Sequence, residues 1–268
     1  MAIANLAMYD LPEVAAANDA FWAGMARALA REGLEGAPRA LTRGVDLGEI
    51  WRSPDLLFSQ TCGYPLVHAF KNALKPVATP VYDAAGCEGP NYVSLIVVRS
   101  GDSLRGLADL RGRTAAVNYA TSQSGYSALR ASVADLARDG RFFGRVVESG
   151  GHPNSLALVA AGEADVCATD CVTHALLARH RPEALAGLRV LARSPAVPGL
   201  PYVTRATASD ELVARLRAAL FATFEDPDLA TAREALLLAG AEVLPISAYR
   251  PILEMEARAQ ALGYAEVA

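Results

Sequence analysis

Four short runs in this chain put hydroxyls, amides and ionisable groups where a folded backbone leaves donors open. The densest is Val117-Asn-Tyr-Ala-Thr-Ser-Gln-Ser-Gly-Tyr126, which carries Asn118, Ser122, Gln123 and Ser124. It lies between an apolar run and a helical pattern, so Ser122 and Ser124 stand at a helix start. The first N–H groups of a helix lack intrahelical partners, and the dipole there favours negative charge. Hydroxyls beside such groups make an anion site without Lys or Arg. Ser59-Gln-Thr-Cys-Gly-Tyr-Pro65 repeats the idea with Gln60, Thr61 and Tyr64, and Thr61 reads as an N-cap. Ser and Thr are also simply the preferred caps, so an ordinary structural role stands beside the binding one.

Two further runs add titratable groups. Ser149-Gly-Gly-His-Pro-Asn154 places His152 before Pro153 at a helix start, where it either donates to a ligand oxygen or caps the helix. Asp170 ends Asp165-Val-Cys-Ala-Thr-Asp170 just before another helix. Its carboxylate either complements the dipole or holds an ammonium or hydroxyl of a ligand. Tyr9 and Tyr92, each at the end or entry of a strand, combine an apolar face with a hydroxyl and suit either a cleft wall or partial core packing.

These loops need a frame, and the pattern supplies one. Residues 3–8, 38–42, 56–60, 75–82, 92–99, 114–118, 145–148, 165–169 and 188–191 read as strands, with a short returning strand at Val243-Leu244. Pro76 and Pro80 push the 75–82 strand towards a sheet edge. Helical spacing runs from about Asp10 to residue 32, then over 62–73, 124–137, 153–161 and 171–179. The C-terminal third is mainly helical, including 229–238 and 248–262. Alternating strands and helices imply an α/β fold with parallel-rich sheets and covering helices. Ligands in such sheets bind beyond the carboxyl ends of strands, which is where the four runs lie. No flexible linker separates the α/β units, so two Rossmann-like lobes joined by crossover strands at 92–99 and 188–193 are expected. The first lobe would comprise 1–96 and 193–268, and the second 97–192.

Composition narrows the function. The 268 residues are 52% hydrophobic and 20% charged, with a formal net charge of -4. That is ample material for buried cores, and a mildly acidic chain without a basic cluster is not expected to bind nucleic acid. No run of about 18 apolar residues suggests a membrane span. The beginning of the chain lacks a basic, then apolar, leader pattern, so the expectation is either a cytoplasmic protein or a periplasmic one whose leader was removed. Of the four cysteines, Cys62 and Cys87 fall near cleft-side loops and could pair in an oxidising compartment; reduced, buried cysteine is the default. Cys167-x3-Cys171-x2-His174 has a superficial metal spacing but no fourth ligand, so no metal and no cofactor is expected. G-x-S-x-G, P-loop, G-x-G-x-x-G and H-E-x-x-H patterns are absent, which removes the sharpest enzyme readings.

The same runs, with Asp109-Leu-Arg-Gly-Arg113, resemble the phosphonate-binding branch of the ABC-transporter substrate-binding proteins. The resemblance implies a type II periplasmic-binding-protein fold and a small anionic ligand, phosphonate-, phosphate- or sulfonate-like, in an interlobe cleft that closes by a hinge. It places the ligand's anionic group on Ser122 and Ser124 with His152 nearby, and any amino group on Asp170. Tyr9, Tyr64 or Tyr92 would close the pocket. The implied partners are the solute and an ABC permease, with the protein itself a monomer. The alternative is a cytoplasmic enzyme of the same fold, resembling those of thiamine-pyrimidine or menaquinone biosynthesis, with His152 as acid/base and Asp170 as its charged neighbour. A third reading is a cytosolic sensor.

Overall fold

The computed structural model describes residues 2–268. They form two compact units, each made from separated stretches of chain. The first holds residues up to Asp83 together with Pro198–Ala248; the second holds Ala84–Val197 and Tyr249–Ala268.

The first unit is built on a five-stranded mixed sheet. Strand Ile3–Ala4 runs parallel to Leu56–Gln60, and Tyr202–Arg205 runs antiparallel to both Leu56–Gln60 and Leu74–Tyr82. Leu238–Glu242 completes it beside Leu74–Tyr82. The proline-bearing strand is therefore interior rather than at an edge. Proline cannot donate to a ladder, and both of its pairings carry a register shift, near Val203 and near Gly240, that accommodates the loss. Strand Tyr202–Arg205 has no counterpart in the expected set. It is four residues long and gives too short a pattern to separate from a loop.

Helix Ala15–Arg31 forms because Phe21, Trp22, Met25, Ala28 and Leu29 recur at helical spacing, and all are buried. It stops at Gly33, whose φ of 75° is costly for other residues, while Leu34 donates back to the Leu29 carbonyl. Helix Asp210–Glu225 packs against it. Ser209 caps that helix by accepting from the Leu212 N–H at 3.1 Å, and Asp210 and Glu211 favour its dipole.

Several expectations fail at element ends. The 3–8 strand is only Ile3–Ala4, followed by a 3-10 turn at Ala7–Tyr9. Residues 38–42 make no strand, and helix Leu47–Arg52 has no counterpart in the expected set. The 62–73 helix shrinks to Gly63–Val67. The returning strand lies at Leu238–Glu242, before Val243.

The second unit carries the strand order Leu188–Arg193, Ser94–Arg99, Val166–Asp170, Thr114–Val117, Arg145–Glu148. The last three are mutually parallel, whereas Ser94–Arg99 is antiparallel to its neighbours. Arg99 locks this arrangement. It bonds Asp165 at 2.9 Å and the Ala164 carbonyl at 2.6 Å, and Asp165 in turn accepts the Thr114 N–H at 2.9 Å.

The closing helix Arg250–Ala261 belongs to this second unit, not to the first as the expected lobe limits had it. Arg130 gives the reason. Its buried guanidinium pairs with Glu256 at 3.4 Å and donates to the Ala265 carbonyl at 2.7 Å. Ala259, Tyr264 and Val267 join Leu129 and Val133 in one core. No helix among the described residues is long and apolar enough to cross a membrane.

Candidate functional site

In the second unit three of the four runs converge. Residues Gln123–Ser127 form a single π turn that opens directly into helix Ala128–Val133. The Ser127 N–H reaches the Ser122 carbonyl at 2.9 Å, the five-residue spacing of a π bond. Ser122 caps this turn, its Oγ accepting the Gly125 N–H at 3.0 Å. A hydroxyl that accepts still has its own O–H to give.

Ser124 is buried, and its Oγ lies 2.8 Å from His152 Nε2. The same Nε2 lies 3.2 Å from Asp170 Oδ2. The other ring nitrogen, Nδ1, is 3.2 Å from the Ala168 carbonyl. A carbonyl only accepts, so Nδ1 carries a proton and neutral His152 takes the Ser124 hydroxyl at Nε2. Burial holds the ring's pKa below its ordinary value, against the pull of Asp170 and of the Ala168 carbonyl.

Asp170 is both the last residue of strand Val166–Asp170 and the N-cap of helix Cys171–His180. Its Oδ1 accepts the Thr173 N–H at 2.8 Å and its Oδ2 the Thr173 hydroxyl at 2.6 Å. Asp170 therefore has the capping role that its position before a helix suggested. His174 on that helix is also held below its usual pKa by burial, again against Asp170.

Asn118 is buried at the end of strand Thr114–Val117. It accepts the Ser155 hydroxyl at 3.1 Å, and Ser155 meets Ser149 at 2.6 Å. A Cβ on Gly125 would stand 2.4 Å from Asn118 Cγ, so the close packing of these two runs requires glycine there. Gln123 is buried, with Nε2 4.0 Å from Met255 Sδ. Tyr92 is buried in the same unit and pairs across a two-residue ladder with Cys87.

The remaining candidates sit in the first unit. Tyr9 is buried, edge-on to Tyr82 with ring centroids 5.3 Å apart. Gln60 spends its amide on the Tyr82 hydroxyl at 3.1 Å and the Leu200 carbonyl at 2.9 Å. Thr61 is buried but is not the expected cap. Cys62 holds the cap position, and the Thr61 hydroxyl donates to the Cys62 carbonyl at 3.3 Å. Tyr64 stacks on His68, centroids 4.1 Å apart. Tyr82, Ser155 and Thr173 are network members that sequence reasoning missed, whereas Ser149 opens a run it had singled out. Thr173 alone had a readable signal, as the residue three after an N-cap aspartate.

The cysteines separate by environment. Burial pushes the Cys167 thiol up to about 12, which disfavours a metal-binding thiolate. Among the described residues no group of three or more His, Cys, Asp or Glu side chains could hold a metal. The thiol beside Cys87 is that of Cys171.

The Ser124–His152–Asp170 grouping is not a catalytic triad. In a triad, serine and aspartate occupy opposite ring nitrogens, so that the aspartate orients a ring that takes the serine proton. Here both meet Nε2, and a carbonyl holds Nδ1.

The family model for the periplasmic substrate-binding protein of the phosphonate ABC transporter matches residues 52–249, well over half of the chain. The chain belongs to this family. Its members are transporter binding proteins rather than enzymes, and the enzyme alternative finds no support. No curated relative matches by sequence. Among solved structures, the chain is similar to a binding protein component of an ABC phosphonate transporter from Pseudomonas aeruginosa. That match has a TM-score of 0.76 and 19% identity over 97% of this chain and 87% of that one. It is also similar to PhnD1 from Prochlorococcus marinus in complex with methylphosphonate, with a TM-score of 0.74 and 15% identity over 91% and 93%. A Xanthomonas citri protein bound to ATP gives 0.72 and 18% over 97% of each chain. The fold is the type II periplasmic-binding-protein fold, as the family resemblance implied.

The two depressed histidines give this family member a measurable acid sensitivity. An unfolded histidine titrates near 6.5. Above about 6.5 both states are neutral and stability is level. As the pH falls through that value the unfolded chain binds protons first, so stability drops until the folded pKa values are passed. The expected result is a melting temperature that is flat from about pH 7 to 8 and falls between about 6.5 and 5. His152→Gln should flatten part of that fall in thermal scans. An unchanged slope in the variant would mean that His152 is not neutral in the folded protein.

Proposed function

We propose that the protein captures a small phosphonate-, phosphate- or sulfonate-like solute and delivers it, as a monomer, to an ABC permease. The observation that carries the reading is the grouping of Ser122, Ser124, His152 and Asp170 at the strand ends of one sheet. The ligand's anionic oxygens take the Ser122 O–H, left over after its Oγ accepts from Gly125, and the Ser124 O–H. Protonation of His152 would free the Ser124 hydroxyl for this purpose, because Nε2 would then donate instead of accept. Asp170 meets an amino group where the ligand has one. Asn118, Gln123 and Tyr92 shape the same neighbourhood. Tyr9, Gln60, Thr61 and Tyr64 form a second proposed set on the first unit. Family membership supports the solute class, and the PhnD1 structure with methylphosphonate is a precedent from the same fold.

The test is titration calorimetry with methylphosphonate, 2-aminoethylphosphonate, phosphate and a sulfonate. A hydrogen bond to a charged group contributes about 1.5–3 kcal/mol, so Ser122→Ala combined with Ser124→Ala should weaken binding roughly a hundredfold or more. The free double variant should lose about 1–3 kcal/mol with the Ser122 cap and the buried Ser124 bond, a drop of several degrees in melting temperature that leaves it folded at the assay temperature. Wild-type affinity in the folded double variant would refute the anion site.

A further inference from the structure

Cys87 and Cys171 are 84 positions apart in sequence, yet their Sγ atoms lie 3.5 Å from each other. Both belong to the second unit. Two local features bring them together. Cys87 and Glu88 pair with Asn91 and Tyr92 in a small hairpin, with Cys87 opposite Tyr92. The next residue, Val93, accepts the Cys171 N–H at 3.0 Å, which sets the hairpin against the start of helix Cys171–His180. Gly86 has a φ of 108°, and a Cβ there would stand 2.9 Å from Val93 Cγ2 and 3.1 Å from Cys171 Cβ. Glycine thus permits the close approach of the two segments. Cys87 is half-exposed and Cys171 is buried.

We propose that Cys87 and Cys171 are an oxidation site and form an intrachain disulfide. A disulfide has an S–S length of about 2.0 Å, so closure needs a movement of only about 1.5 Å between side chains already facing each other. The oxidant is a small-molecule disulfide such as oxidised glutathione. Cys87, the accessible thiol, passes its proton to the Cys171 sulfur 3.5 Å away and attacks one sulfur of the oxidant, forming a mixed disulfide and releasing one thiolate. Cys171 then gives that proton to solvent, and its thiolate attacks the Cys87 sulfur and expels the second. The two protein thiols are oxidised by two electrons, and the oxidant leaves as two thiols. In the reduced pair the hydrogen bond from Cys87 holds the Cys87 thiol above its ordinary pKa and the Cys171 thiol below it, so Cys171 is the base that takes the Cys87 proton in the first step. The bond would tie the hairpin to the residue that follows the Asp170 cap. It would also enclose strands Ser94–Arg99, Thr114–Val117, Arg145–Glu148 and Val166–Asp170 in one covalent loop.

The folded, reduced protein should be equilibrated with reduced and oxidised glutathione, quenched with an alkylating agent and mapped without reduction. The expected product has lost two hydrogen atoms and yields a linked Cys87–Cys171 peptide. Its melting temperature should exceed that of the reduced form by several degrees, because the closed loop is long. Cys62→Ser should leave the product unchanged, and Cys87→Ser should abolish it. Four free thiols at equilibrium, a stable glutathione adduct on Cys87, or a Cys62–Cys87 peptide would each overturn the proposal.

Discussion

Asp170→Ala is expected to lower stability by about 2–4 kcal/mol, the sum of a lost N-cap and buried groups left without an acceptor. Asp170 accepts two donors at once, the Thr173 N–H and the Thr173 hydroxyl, and packs beside the His152 ring. Alanine removes every acceptor and opens a small void in a buried place. The melting temperature should fall by roughly 5–10 °C for a chain of this size. Asp170→Asn keeps one oxygen for the cap and should lose only about 1 kcal/mol. The two variants therefore separate capping from charge, since asparagine cannot attract a ligand's ammonium as a carboxylate does. Trp22 and Trp51 both lie in the first unit, so unfolding should be followed by circular dichroism rather than by tryptophan fluorescence. A loss below about 0.5 kcal/mol for alanine would show that the carboxylate does not hold this helix start.

Gly144→Ala should be about as damaging, at about 2–3 kcal/mol, through overpacking against backbone. A Cβ there would stand 2.4 Å from the Gly112 carbonyl oxygen and 3.1 Å from its carbon. The obstacle is main chain, fixed by the Gly112 N–H to Phe142 carbonyl bond at 2.8 Å and the Gly144 N–H to Arg113 carbonyl bond at 3.0 Å. Relief requires the two segments to part just before strands Thr114–Val117 and Arg145–Glu148 pair. Those strands carry Asn118 and Ser149 at their far ends, so the binding network should loosen with them. Gly101→Ala is the control. No atom lies within 4 Å of its added Cβ, and it should change the melting temperature little. Equal melting of the Gly144 and Gly101 variants would mean that the crowded turn yields at no cost.

Much of this protein is written locally and could be read without a fold. Alternating apolar runs placed Leu56–Gln60, Thr114–Val117, Arg145–Glu148 and Val166–Asp170 within a residue or so of their observed limits. The buried stripe of Phe21, Trp22, Met25 and Leu29 fixed the first long helix. Ser122, Ser124, His152 and Asp170 could be listed as candidates because strand-to-helix loops have a recognisable chemistry.

What the sequence could not decide are the choices made by distant partners. Pro76 and Pro80 argued for an edge strand, but the sheet closed around them by shifting register on both sides. The last helix had an apolar stripe that would suit either unit. The buried charge of Arg130, satisfied by Glu256 and the Ala265 carbonyl, drew it to the second. No spacing rule brings Cys87 to Cys171, because the hairpin, Gly86 and the Val93 carbonyl must all be in place first. The same holds for the protonation of His152. A histidine before a proline is only a candidate until burial keeps the ring neutral and the Ala168 carbonyl decides that Nδ1 holds the proton. Periodicity and turn chemistry act over a few residues and survive in the sequence. Register, helix docking and pKa depend on groups tens of residues away, and only the tertiary structure brings them into contact.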